Sequence, residues 1–201
     1  FSAKKADFSD PKNETFDSTN RYYSAEYVNG YLIAQSASTG DLVLVTPSSS
    51  YWGTQTLYSQ NGKSVGDAGV FVLYDMALDY SDEGHKVNDP YNSSAGMDTL
   101  YAVGWQYEGD NDNDGHDDGS NTLFRIWMSR YNGQIFVDKV ASISGTENGA
   151  ELLTLGCTTE GQLYGIDTQG KLYKVSHSGE CTLVGTTDFV SVNNYSGCNV
   201  I

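Results

Sequence analysis

The sequence predicts an all-β protein, and two features of its 201 residues indicate this class. Apolar residues occur in short runs separated by glycine, asparagine, aspartate and serine, which is the pattern of strands joined by turns. Helical periodicity is scarce along the chain. A chain of this length buries roughly two-thirds of its unfolded surface, so it can form a core without disulfides or metals.

The clearest group of predicted strands lies between residues 151 and 187. Four apolar segments follow one another there, separated by turns that contain glycine: residues 152–155, 162–167, 171–175 and 181–184. Short strands joined by tight turns pair with their neighbours in antiparallel order. We therefore predict a four-stranded antiparallel meander in this part of the chain.

The same order of segments occurs twice more. One copy has apolar segments at residues 71–79, 99–105, 122–127 and 136–140, and the other at residues 22–27, 30–34 and 40–45. Leucines begin the second strands and larger residues lie inside the third strands: Leu32, Leu100 and Leu163, then Val43, Phe124 and Tyr173. We expect a single domain or fragment over residues 1–201. Its repeat units lie at about residues 21–60, 69–144 and 149–187, and another begins in residues 188–201.

Three short motifs mark the strands of the third copy. Residues 161–167 read Gly-Gln-Leu-Tyr-Gly-Ile-Asp, residues 170–175 read Gly-Lys-Leu-Tyr-Lys-Val, and residues 182–185 read Thr-Leu-Val-Gly. This series resembles the repeat of bacterial extracellular β-propellers. The resemblance is best over residues 151–187, extends over residues 69–144 and is weakest before residue 60. It implies a β-propeller-like array of four-stranded antiparallel meanders.

The number of repeat units indicates whether the chain can form a closed propeller. A four-stranded sheet cannot hide both faces alone, and stacking such sheets around an axis gives each face a neighbour. Closed propellers usually have at least four blades, and this chain contains three full units. We therefore expect a partial or small propeller, which could belong to a larger polypeptide. A β-sandwich is the alternative fold.

An acidic loop between residues 108 and 119 is the one segment with clear chemistry. Asp110, Asp112 and Asp114 alternate, Gly115 follows them, and Asp118 stands at the ninth position counted from Asp110. Alternate carboxylates across a tight turn can point at one ion, and calcium takes six to eight oxygen ligands in flexible geometry. The pattern therefore predicts a Ca²⁺ site, with a solvated acidic loop as the alternative.

The order of residues in this loop is Asp-x-Asp-x-Asp-Gly-x-x-Asp. It resembles the calcium-binding hairpins of integrin α-chain propellers and of thrombospondin type 3 repeats. This resemblance implies side-chain ligands from Asp110, Asp112, Asp114 and Asp118, with the backbone carbonyl of His116 as a further ligand. We expect the role of the ion to be structural, because it would stiffen the tip of a long hairpin.

Composition limits the possible partners and the compartment. The formal net charge of −15 would repel phosphate, so we expect no nucleic-acid partner. No apolar run approaches the ~20 residues of a membrane-spanning helix. The many Tyr, Gly, Ser, Thr and Asn residues indicate a secreted or cell-surface protein. Cys157 and Cys181 form a disulfide in one interpretation, and in the other all three cysteines, with Cys198, are reduced.

The function that we expect is a calcium-stabilised binding or adhesion module with a glycan or protein ligand. The best candidates for surface contacts are aromatic residues near turns, namely Tyr51, Trp52, Tyr91, Tyr131 and Tyr195. One alternative is a secreted propeller enzyme acting on polysaccharide, for which Asp75 and Asp79 are a possible carboxylate pair. The other is a structural spacer. The sequence contains no recognised catalytic motif, and we assign no catalytic residue.

Overall fold

The computed structural model describes residues 22–28, 30–47, 52–60, 70–81, 89–113 and 118–187. These residues form strands and turns, with a single turn of 3-10 helix at Glu147–Gly149. Within this part of the chain, no helix is long or apolar enough to cross a bilayer. The predicted all-β class is therefore confirmed.

The strands form three four-stranded sheets, each an antiparallel meander in which the strands pair in the order of the chain. Sheet I contains β1 (Tyr22–Val28), β2 (Tyr31–Ser36), β3 (Leu42–Pro47) and β4 (Trp52–Tyr58). Sheet II contains β5 (Phe71–Leu78), β6 (Met97–Gly109), β7 (Asp118–Ser129) and β8 (Ile135–Ser142). Sheet III contains β9 (Gly156–Cys157), β10 (Leu163–Ile166), β11 (Lys171–Val175) and β12 (Cys181–Thr186). The predicted grouping of strands into meanders is also confirmed.

The first strand of sheet III differs from the prediction. Residues 152–155 were expected to form it, but β9 begins at Gly156 and has two residues. Leu152 makes only an isolated bridge with Asp167. The reason is competition for the backbone, because Asn121 of sheet II binds the N–H of Leu152, and Asp75 of sheet II accepts the N–H of Leu155.

The hairpins between second and third strands share one register. In each sheet a small residue lies opposite a larger one, in the pairs Ala34–Val43, Ala102–Phe124 and Gly165–Tyr173. Two residues earlier, a leucine lies opposite a β-branched residue, in the pairs Leu32–Val45, Leu100–Ile126 and Leu163–Val175. The leucines that the sequence placed in equivalent positions are therefore paired in the same way in all three sheets.

Two apolar layers, one on each side of sheet II, form most of the core, and a smaller third cluster of Ala34, Val43 and Val45 lies on sheet I. Leu100 and Ala102 of β6 pack in the layer shared with sheet I, where the Phe71 and Phe124 rings lie 4.8 Å apart. The alternate residues of β6, such as Val103, pack in the layer shared with sheet III. A β-sandwich has two sheets that each bury one face. The described part of this chain has three stacked sheets instead. The first strands of these sheets are neighbours, since β1 lies beside β5 and β5 beside β9.

Side-chain amides join neighbouring sheets. The buried Gln35 of β2 donates to the carbonyl of Phe71 at 2.9 Å and accepts the N–H of Leu73 at 2.6 Å. Asn121 of β7 binds Leu152 in the same way, at 3.1 Å to its carbonyl and 2.9 Å from its N–H. Each amide satisfies backbone groups of the next sheet, which would otherwise cost free energy when buried.

Candidate functional site

The two ends of the β6–β7 hairpin carry the residues of greatest functional interest. Gly109 pairs with Asp118 at one end, and Met97 pairs with Ser129 at the other. Because β6 has 13 residues, these ends lie about 40 Å apart at the usual rise of a strand. We call them the acidic end and the tyrosine end.

At the acidic end, Asp110 and Asp112 follow the end of β6, and Asp118 is the first residue of β7. The N–H of Asn111 donates to Oδ2 of Asp118 at 2.8 Å, which closes the turn onto its own base. Asn113, with a positive φ of 61°, helps the chain to reverse. Asp114 and His116, the other predicted ligands, lie outside the described residues. Among the residues that the structure describes, no three metal-ligating side chains come together.

Glu108 at the base of the acidic end has a counter-ion within the chain. The ammonium of Lys139 on β8 lies 2.9 Å from Oε1 of Glu108, and the hydroxyl of Ser120 donates to the same oxygen. The hydrogen bond from Lys139 holds the pKa of Glu108 below its ordinary value. This carboxylate is therefore neutralised by the protein itself.

The tyrosine end is organised by a buried pair, Asp89 and Ser129. Oδ1 of Asp89 accepts the N–H groups of Tyr91 at 2.8 Å and Asn92 at 3.3 Å. The hydroxyl of Ser129 donates to the other oxygen of Asp89 and accepts the N–H of Tyr131 at 3.1 Å. Burial works to raise the pKa of Asp89, but the hydrogen bonds from Ser129 and from backbone N–H groups lower it overall. The pair therefore accepts backbone N–H groups from two turns, the one that contains Tyr91 and the one that contains Tyr131.

The side chains of Tyr91 and Tyr131 project from this buried pair into solvent. Their exposed fractions are 49% and 63%, and the Tyr91 ring stacks with that of Phe136 at a centroid distance of 6.1 Å. We call Tyr91, Tyr131 and Phe136 the tyrosine face. The expected surface positions of Tyr91 and Tyr131 are confirmed, whereas Tyr51, Tyr195 and the side chain of Trp52 lie outside the described residues.

Sequence reasoning did not find the residues that hold this face. An Asp followed by Pro90 and Tyr91 is typical of a turn in which the carboxylate accepts nearby N–H groups, so Asp89 carried a local signal. Ser129 carried none, because it is 40 residues away from Asp89 and meets it only in the folded chain.

The carboxylate pair considered for an enzyme has other partners. Asp75 and Asp79 are buried, and Asp75 accepts the N–H groups of Met76 at 3.0 Å and Leu155 at 2.9 Å. Asp79 accepts both the N–H and the hydroxyl of Ser81. Desolvation raises the pKa of Asp75 to about 6 despite its hydrogen bonds. Both carboxylates therefore act as acceptors for nearby donors, Asp75 from within β5 and Asp79 from directly after it.

An apolar cavity of about 710 Å³ lies between β5 and sheet III. Leu78, Tyr80, Cys157 and Ile166 are among the residues that line it. Burial, followed by the nearby charge of Asp79, raises the pKa of the Cys157 thiol to about 11, so it is protonated at neutral pH. Cys157 and Cys181 are both free thiols, which agrees with the interpretation without a disulfide between them. Cys198 lies outside the described residues.

Comparison with known proteins adds no family to this description. No protein-family model matches the chain, and no curated protein matches it. Function therefore has to follow from the chemistry of the two ends of sheet II.

Proposed function

We propose that this protein is a calcium-stabilised binding or adhesion module of a secreted or cell-surface protein, with a glycan as its ligand. One observation carries the proposal, namely that Tyr91 and Tyr131 are exposed while their backbones are held by buried Asp89 and Ser129. Aromatic side chains on a fixed backbone lose little conformational entropy when they bind, which favours their use in recognition.

The chemistry of the tyrosine face suits a sugar. A tyrosine ring offers a flat apolar surface to the C–H face of a pyranose, and its hydroxyl can bond a sugar hydroxyl. The formal net charge of −15 disfavours acidic ligands by long-range repulsion. A neutral polysaccharide is therefore the ligand class that fits best.

Calcium would bind at the acidic end. The side chains of Asp110, Asp112, Asp114 and Asp118, with the backbone carbonyl of His116, would supply its oxygen ligands. The closure between Asn111 and Asp118 supports this assignment, because it draws the two ends of the predicted loop together. The two ends of β6 are about 40 Å apart, so the ion would stabilise the hairpin and would not touch the glycan.

The three sheets are, in this proposal, blades of a partial β-propeller. The order of strands, the shared hairpin register and the neighbouring first strands β1, β5 and β9 support it. In propellers the first strand of each blade lines the central axis, and successive blades stack face to face.

Screening against an array of neutral glycans, followed by calorimetry on the bound glycan, tests the function. We expect Tyr91→Ala and Tyr131→Ala each to weaken binding about tenfold, which corresponds to about 1.4 kcal/mol. Tyr23→Ala is the matched control, because Tyr23 is equally exposed at 49% but lies on β1. Unchanged affinity in both tyrosine-face variants, or release of cleaved sugar, would contradict the proposal. Silence of the whole array would favour a protein ligand or a spacer.

A further inference from the structure

Sheets I and II each have one face that is covered by the next sheet. In sheet I this face includes Ile33 and Leu42, which are fully buried in the layer shared with sheet II. In sheet II it includes Tyr101, Val103 and Leu123, which are buried in the layer shared with sheet III. The two covered faces use the same positions of the hairpin, since Leu42 pairs with Gln35 as Leu123 pairs with Val103.

The same positions can be identified in sheet III from its register. Ile166 pairs with Leu172 as Val103 pairs with Leu123, and Tyr164 stands where Tyr101 stands in sheet II. Tyr164, Ile166 and Leu172 are only partly buried, and their counterparts in sheets I and II are buried. We call these three residues the free face of sheet III.

The free face borders the apolar cavity described above. Tyr164, Ile166 and Leu172 line one side of the cavity, and Leu78 and Tyr80 at the end of β5 line another. The cavity therefore lies beside the first strands β5 and β9. In both existing interfaces, the first strand of the next sheet lies beside the first strand of the sheet before it.

At each of the two interfaces between sheets, the sheet that is later in the chain contributes the same pattern of residues. Sheet II presents Leu100, Ala102, Phe124 and Ile126 to sheet I, and sheet III presents Leu163, Gly165, Tyr173 and Val175 to sheet II. In both cases a leucine and a small residue on the second strand lie opposite a β-branched and an aromatic residue on the third.

We propose that the free face of sheet III is a docking surface for a fourth four-stranded antiparallel sheet of the same repeat, linked after β12. The incoming sheet would carry the pattern of leucine, small, aromatic and β-branched residues. This inference rests on the proposed partial propeller and names the surface at which the array continues. A second copy of this chain cannot supply the pattern from sheet I, because Ala34, Val43 and Val45 are already buried there in a separate cluster.

Inserting a copy of residues 143–187 between Thr187 and Asp188 tests the docking surface. The copy is a sheet of the required pattern, and this junction reproduces the step from β8 into sheet III. The copied Tyr164 and Leu172 are changed to Phe and Val, so that the original two residues are measured on peptides of their own. Hydroxyl-radical footprinting measures side-chain exposure. We expect the oxidation rates of Tyr164 and Leu172 to fall to those of buried Tyr101 and Leu123 in the same protein. A control insertion carries serine in place of the copied Leu163, Tyr173 and Val175, and it should leave both rates unchanged. Unchanged rates with the intact copy would overturn the proposal.

A second measurement does not depend on folding of the inserted copy. Leu172→Thr and Leu123→Thr change equivalent residues, one on the free face and one on a covered face. We expect Leu172→Thr to shift the urea midpoint of the full chain much less than Leu123→Thr, because none of the three described sheets packs over Leu172. Equal shifts would show that the free face is already covered, which would overturn the proposal. Calcium and glycan binding would remain testable in either case, because neither uses the free face.

Discussion

Several buried aspartates of this chain accept backbone N–H groups. Asp167 accepts those of Gln169 and Lys171 at 2.8 and 2.9 Å, together with the hydroxyl of Tyr173. Asp75 and Asp89 act in the same way within sheet II and at its end. A buried carboxylate is tolerated only when such donors replace water. These residues therefore connect turns and sheets through the backbone.

Asp75 should make stability depend on pH. Burial, with a smaller contribution from the charge of Glu26, raises its pKa from 3.8 to about 6 in the folded chain. Between these values the folded state holds more protons than the unfolded state, so the free energy of unfolding falls as pH rises. Relative to Asp75→Asn, which does not titrate, wild-type stability should fall by up to about 3 kcal/mol between pH 4 and pH 7. Urea unfolding across this range measures the difference.

The matched control for this prediction is Asp138→Asn, because Asp138 is an exposed acid beside Arg125 on the same sheet. Its difference from wild type gives the baseline with which the difference for Asp75→Asn is compared. A stability difference between wild type and Asp75→Asn that stays constant with pH would show that the carboxylate is not desolvated in the folded protein.

At the scale of strands, two glycines should respond differently to alanine. A methyl group at Gly104 of β6 would lie 2.1 Å from the carbonyl oxygen of Val72, so β5 and β6 would have to move apart. At Gly185 of β12 nothing lies within 4 Å of the new carbon. We expect Gly104→Ala to cost about 1–3 kcal/mol in urea unfolding. Gly185→Ala should be neutral or stabilising by up to about 1 kcal/mol. Equal effects would contradict this packing of β5 on β6.

Calcium binding at the acidic end should stabilise the β6–β7 hairpin. If it binds calcium only when folded, calcium at 100 times its dissociation constant should stabilise the protein by about 2.7 kcal/mol. The measurement is thermal unfolding of EDTA-treated protein with and without millimolar calcium. The double variant Asp110→Asn/Asp112→Asn should lose the gain in melting temperature, and magnesium should produce a smaller gain.

The control for calcium removes the same charge elsewhere. Glu160 and Glu180 are exposed acids on the turns of sheet III, and Glu160→Gln/Glu180→Gln should keep the full response to calcium. An absence of any calcium-dependent gain in the wild-type protein would remove the metal site from the proposal. Loss of the gain in the control would indicate a general effect of ionic charge.

At the scale of the whole molecule, stability should depend on the amides that join the sheets. Gln35 links sheet I to sheet II, and Asn121 links sheet II to sheet III. Asn121→Ala would leave the N–H and the carbonyl of Leu152 without partners. Gln35→Ala would leave the N–H of Leu73 without its acceptor, while Gln60 still donates to the carbonyl of Phe71. Each buried group left unpaired costs about 1–3 kcal/mol. We expect Gln35→Ala and Asn121→Ala each to lower the urea midpoint strongly. Gln134→Ala, at an exposed amide in the β7–β8 turn, should not.

Unfolding should be followed by both tryptophan fluorescence and far-UV circular dichroism, because agreement between two probes shows whether the three sheets unfold together. Coincident transitions in wild type are expected, because sheet II shares a core with each neighbour. Midpoints for Gln35→Ala and Asn121→Ala equal to that of Gln134→Ala would contradict a stabilising role for these amides.

Much of the fold was predictable from the sequence because its signals are local. Glycine-bearing turns and short apolar runs identify strands such as β10 and β11 without knowledge of their neighbours. The strand predicted at residues 152–155 was wrong because its backbone is bound by Asn121 and Asp75, and neither partner is near it in sequence. Propensity cannot anticipate a hydrogen bond that forms only after two sheets have packed.

The candidate sites were also only partly predictable from the sequence. The acidic loop could be recognised from the spacing of its aspartates, and the exposure of Tyr91 and Tyr131 from their places near turns. The buried Asp89–Ser129 pair that fixes both tyrosines could not, because it joins residues 40 positions apart.

The sequence by itself determined the all-β class, the three meanders and the acidic hairpin, since strand alternation, turn residues and charge spacing act over a few neighbouring residues. The tertiary structure alone decided which face of each sheet is covered, how Gln35 and Asn121 join the sheets, and that sheet III keeps a free face. Those features depend on the side of each sheet on which a distant segment packs. That choice follows from the combined burial of many side chains, and no local pattern encodes it.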